Sequence, residues 1–163
     1  MLIRALTIAA ALWVTGPVLA QADLDPPYPI PADPGTLDLT GTWQYTTFDH
    51  RSSGPCPGGS HMVGTMSIAD MGDPAVPYAV VVSGDCNPAT VCVFGGKIVD
   101  GALVAQNDVV VDEEGGRVGS GLYITFFAED FGLGFYDAAY YIADFTCGWS
   151  HSFSIRRGAA AAE

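Results

Sequence analysis

From Leu37 onward the chain shows no helical period. Short runs of β-branched and aromatic residues recur, divided by Gly, Asp, Asn and Pro, which is how strands joined by turns read in a sequence. Leu103, Ala105, Val109 and Val111 share one face of their run, and Gln106 and Asp108 lie on the other. Phe153 and Ile155 likewise oppose Ser152, Ser154 and Arg156. A period of two gives each strand one apolar and one wet face, as in an antiparallel sheet wrapped around one core. The pattern predicts eight strands: Gly41–Phe48, Met62–Ala69, Tyr78–Gly84, Val91–Val99, Ala102–Val111, Gly119–Ala128, Leu133–Ala143 and Trp149–Arg157. Asp100-Gly101 signals a tight hairpin, Glu113-Glu114-Gly115-Gly116 a looser one, and Asp49–His61 is the long connection. Eight consecutive strands with short links predict an all-β, antiparallel up-and-down barrel; a sandwich is the other arrangement.

The N-terminus changes how the cysteines are read. Met1–Ala22 has the pattern of a secretory signal: Arg4, an apolar run Leu6–Val14, a Gly16-Pro17 break and small residues at Ala20-Gln21-Ala22. The run is too short to span a bilayer. The expected product is therefore exported, periplasmic or secreted. The segment holds no lipobox cysteine, so the expected product carries no lipid anchor and no membrane insertion. In an oxidising compartment Cys56, Cys86, Cys92 and Cys147 are expected to form two disulfides. Cys86 and Cys92 flank the turn-like Asn87-Pro88-Ala89-Thr90 and make a local staple, which leaves Cys56 with Cys147. In a meander of eight strands all four cysteines gather at one end. Closure makes the first and last strands neighbours, so the pairing and the barrel support each other.

Asp23–Thr36 carries five prolines and reads as an extended leader; the barrel domain then spans 37–157, and 158–163 is a tail expected to be disordered. The formal net charge is −12, one unit more negative once Arg4 is removed. Such a chain is repelled by nucleic acid and by anionic membrane surfaces, which removes those partners. At the end opposite the cysteines, Trp43 opens the first strand and Arg156 or Arg157 ends the last, so closure brings a guanidinium to the indole.

The segment Leu39-Thr40-Gly41-Thr42-Trp43 with a C-terminal Arg resembles the lipocalin superfamily. In that group a Gly-x-Trp opens the first strand and a late Arg packs on the Trp at the closed end. The resemblance implies a ligand-holding barrel, with Asp49–His61 in the place of the lid loop.

Candidate chemistry is sparse. His50, His61 and His151 are expected near the cysteine-rich end, where three imidazoles with Asp49 or Asp144 are a possible Zn or Cu set; the alternative is three loop histidines brought close by the fold. Ser52, Ser53 and Ser60 lie beside His50 and His61 but in no nucleophile elbow, so they read as turn formers. Asp112, Glu113 and Glu114 read as a solvated turn rather than paired catalytic carboxylates. Asp137 is expected to point outward. Gly95-Gly96-Lys97 lacks the spacing of a phosphate loop, and Gly119-x-Gly121 reads as a bend in a barrel wall. No catalytic set and no cofactor motif emerges.

Tyr123, Phe126, Phe127, Phe135, Tyr136, Tyr140 and Tyr141 crowd the sixth and seventh strands. Aromatic walls with polar tips suit a small planar ligand, which makes Tyr123, Phe126, Phe135, Tyr136, Tyr140 and Tyr141 the lumen candidates; the alternative is that they fill a solid core. The leading expectation is a non-catalytic binding barrel for a small apolar or aromatic ligand. The second is an exported protein-binding module, such as a protease or hydrolase inhibitor, and the third a metal site on the three histidines.

Overall fold

The computed structural model describes residues 31–56, 59–84, 86 and 88–158. The signal-like segment 1–22, leader residues 23–30 and tail residues 159–163 lie outside the described residues.

Eight strands follow in chain order: β1 Gly41–Ser53, β2 Val63–Asp70, β3 Tyr78–Val82, β4 Val93–Val99, β5 Ala102–Val110, β6 Arg117–Ala128, β7 Phe131–Ile142 and β8 Phe145–Arg157. Each pairs antiparallel with the next, and β8 returns to β1, so the sheet is a closed up-and-down barrel. This is the architecture the alternation predicts. The Asp100-Gly101 hairpin has both central residues at positive φ, 49° and 79°, as a turn matched to strand twist requires. Both disulfides join the expected partners, with Cα–Cα distances of 5.3 Å for Cys56–Cys147 and 5.7 Å for Cys86–Cys92.

Several strand ends differ from expectation, each for a local reason. β1 does not stop at Phe48. Asp49 turns to φ 53°, the register with β8 shifts between Phe48 and Arg51, and pairing resumes to Ser53. Such a bulge bends a strand and lets it continue. β4 starts at Val93 because Ala89–Cys92 form a short 3-10 turn beside the local disulfide. β7 and β8 meet in a turn at Ala143 and Asp144, with Ala143 at φ 47°. Cys147 therefore sits within β8, buried, rather than in a connection.

Inward positions build the core by strict alternation. Trp43, Tyr45 and Thr47 point inward from β1, Val118 through Phe126 at every second residue from β6, and Cys147, His151, Phe153 and Ile155 from β8. The half of the lumen remote from the disulfides is filled by Trp43, Ile68, Leu103, Ile124, Phe126 and Ile155, all nearly or fully buried. The end of the leader stops that end. Pro34 and Leu39 are buried, and the Ala32 N–H donates to Phe126 O at 2.8 Å. This stretch of the leader is thus part of the core and not a free arm.

At the same end Arg157 lies over the Trp43 ring, its Cζ 4.6 Å from the centroid. The guanidinium donates to Thr40 O at 2.8 Å, to Glu129 O at 3.0 Å and to Asp38 O. Of the two arginines that end β8, Arg157 takes the indole, and Arg156 lies over Phe131 at 4.9 Å.

Candidate ligand-binding site

The other half of the barrel is not filled. At the disulfide-bearing mouth a cavity of about 250 Å³ opens into the lumen. Tyr45, Met62 and Met66 line it from β1, the segment before β2 and β2; Val82 and Ser83 from the end of β3; and Cys92 and Phe94 from the disulfide turn and β4. Leu122, Tyr136, Trp149, His151 and Phe153 complete the wall from β6, β7 and β8. Among the described residues no Asp, Glu, Lys or Arg side chain lines it. The division between filled and open halves follows from one close approach. Gly134 pairs with Phe153, and a Cβ at Gly134 would lie 2.2 Å from the Phe153 ring. The ring folds flat across β7 only because that position has no side chain, and so it becomes a floor under the cavity.

The aromatic residues of β6 and β7 divide differently from expectation. Tyr136 faces the cavity, and its burial pushes its phenol up from the ordinary value. Phe126 faces inward but packs edge-on to Trp43 at 5.4 Å in the filled half. Tyr123 and Phe135 are outward and exposed, paired with each other across β6 and β7, so they do not line the lumen. Tyr141 is on the outer wall, where its hydroxyl donates to Asp108 at 2.8 Å beside the Arg117–Asp108 ion pair. Tyr140 is held at the rim, its hydroxyl donating to Asp112 at 2.8 Å. The second Asp112 oxygen accepts the Gly116 N–H at 2.6 Å, which fixes the β5–β6 turn and leaves this carboxylate in a structural role. Asp137 pairs with Gly121 and Ser150 on the outer face, between two open depressions of about 300 and 230 Å³.

The three histidines do come to the mouth. Thr47, fully buried, is their anchor: its hydroxyl lies 3.0 Å from His50 Nε2, and its carbonyl accepts from His61 Nδ1 at 2.7 Å. His50 and His151 have ring centroids 5.1 Å apart, and His151 stacks on Tyr136 at 4.9 Å. Two of the three rings are thereby committed to Thr47 in different directions. Among the described residues no three His, Cys, Asp or Glu side chains are placed to hold a metal ion, so the arrangement favours the reading of histidines brought close by the fold over a metal set.

His151 is the group that sequence reading undervalued. It is only 9 % exposed and lies in the cavity wall. Burial first, and the neighbouring His50 second, pull its pKa from 6.5 down to about 4. The unfolded chain takes up this proton near pH 6.5, and the fold refuses it until about pH 4. Stability is therefore expected to fall as pH drops through that window, by on the order of 2 kcal/mol from this residue. Urea unfolding at pH 7.5 and 4.5 reads the loss, and a His151→Phe variant should lack that share of it. An equal loss in both proteins would mean that other groups carry the acid sensitivity.

Trp149 and Phe153 were also recoverable from sequence, since extending the alternation of Phe153 and Ile155 back along β8 reaches His151 and then Trp149. Comparison with known protein families, with curated proteins and with solved structures gives no match to this chain.

Proposed function

We propose that this protein is an exported, non-catalytic binding barrel that holds a small apolar or aromatic molecule in its mouth cavity. The observation that carries the reading is the division of the lumen: one half is packed solid, and the other keeps about 250 Å³ lined by apolar and aromatic side chains. Empty apolar space costs packing energy, and ligand sites have this composition. The closed barrel and the Arg157–Trp43 stack at the far end support a lipocalin-like kinship. The two disulfides suit an oxidising compartment. No helix among the described residues is long and apolar enough to cross a membrane.

Toluene is the simplest probe. Titration should give a saturable change in Trp149 emission, because that indole lines the cavity. Val82→Trp, which fills the cavity from β3, should abolish it. Absence of saturable binding, or binding that survives the filled cavity, would remove the reading.

The second reading is a protein-binding module acting through the rim. Its support is that both crosslinks stiffen loops at the mouth, which lowers the ordering cost of docking. Ala32 and Pro34 of the leader pack on the barrel, so that module would not act through them.

A further inference from the structure

We propose that the ligand of this cavity is an uncharged single-ring molecule bearing one hydroxyl, of the phenol class, whose hydroxyl bonds to the imidazole of His151. The inference rests on the reading of the cavity as a ligand site and adds the chemistry of its occupant.

Size sets the first limit. A dry cavity of about 150 Å³ admits benzene, and drug-sized ligands need about 300 Å³ or more. About 250 Å³ therefore suits one substituted ring and is small for a drug-sized ligand. Charge sets the second. With no cationic or acidic side chain among the described residues of the lining, a carboxylate or ammonium would leave water with no partner there, a cost of several kcal/mol.

His151 sets the third. It is nine-tenths buried, and its ring makes no hydrogen bond among the described residues. Among the described residues no buried polar side-chain atom is sealed off without a partner, and His151 lines the cavity, which is where its ring nitrogens would meet a ligand. Tyr136 and His50 flank the ring at 4.9 and 5.1 Å and fix its plane. Among the described residues the titratable groups packed against it are His50 and Tyr136. The imidazole remains neutral at physiological pH, with one donor and one acceptor nitrogen. A hydroxyl satisfies either nitrogen, and a bare hydrocarbon satisfies neither. A polar group left unpaired by the wrong ligand is what makes such a site discriminate.

Isothermal titration calorimetry at pH 7.5 with toluene, p-cresol and p-toluate tests this on the full chain. The wild type should bind p-cresol about tenfold more tightly than toluene, the worth of one net hydrogen bond, and p-toluate more weakly than either. His151→Phe should retain toluene and lose the p-cresol preference, and His151→Gln, which keeps an acceptor and donors, should recover part of it. Near-UV circular dichroism reports whether the variants fold; if the Phe variant does not, the wild-type ratio of p-cresol to toluene decides. Equal affinities for p-cresol and toluene, tightest binding of p-toluate, or a preference unchanged in His151→Phe would overturn the hydroxyl assignment and leave the cavity reading intact. Failure of both toluene and p-cresol to bind would instead overturn the cavity reading.

Discussion

Replacing Cys56 and Cys147 together with alanine is expected to lower the unfolding free energy by about 4–5 kcal/mol, from the loop-closure entropy of a crosslink of this span. The bond joins residues 91 apart in sequence, so the unfolded chain without it gains the freedom of most of the barrel. Its position adds a second reason. Cys56 follows β1, and Cys147 is buried in β8. These two strands form the pair of greatest sequence separation, the one that closes the sheet. The crosslink therefore holds together the ends whose meeting costs the most entropy. Removing Cys86 and Cys92, only 6 residues apart, is expected to cost about 2 kcal/mol by the same relation. Urea unfolding of the two double variants, with the dithiothreitol-reduced wild type alongside, gives both values. A short-span variant as damaged as the long-span one would show that local anchoring of the mouth, and not closure of the sheet, governs the effect.

Closure was legible in the sequence because two signals agreed. The alternation supplied eight strands, and on that count the Cys56–Cys147 pairing agreed with β1 and β8 being neighbours. The lining of the mouth was less legible, and β6 and β7 show why. In β6 the inward set Val118, Leu122, Ile124, Phe126 alternates with Tyr123, Thr125 and Phe127, and both sets are largely apolar, so the period names no face. In β7 the inward positions include Gly132 and Gly134, where side chains of β8 use the space. A strand whose inner residues are glycines looks, in sequence, as if its outer aromatics were the core. Phe135 was misplaced for that reason. The meeting of His50 and His61 on Thr47 depends on the bulge after Phe48, and a bulge of one residue leaves no mark in a hydrophobic pattern. Pro34 was hidden by its setting, since a proline-rich leader reads as solvent-facing until a barrel end is there to receive it.

The closed end supplies the other large effect. Trp43→Ala is expected to destabilise the protein by about 4 kcal/mol, within the range for removing a large aromatic side chain from a packed core. Three losses combine at that site. The indole is fully buried and packs edge-on to Phe126, so its removal leaves a void among rigid neighbours. Its Nε1–H donates to Leu39 O at 3.0 Å, and that carbonyl would be left without its partner. Arg157 would lose the ring beneath its guanidinium, a contact worth about 0.5–2 kcal/mol, while still tied to Thr40, Asp38 and Glu129. Trp43→Phe keeps a ring but neither the hydrogen bond nor the full volume, and should cost about half as much. Because Trp43 does not line the mouth cavity, the affinity of folded Trp43→Phe protein for toluene should stay within about twofold of wild type, less than 0.5 kcal/mol. Denaturant unfolding and calorimetric titration of the same preparations separate the two quantities. A variant that lost affinity in proportion to its stability would show that the packed half and the open half of the lumen are one cooperative unit, and that Phe153 is not an independent floor between them.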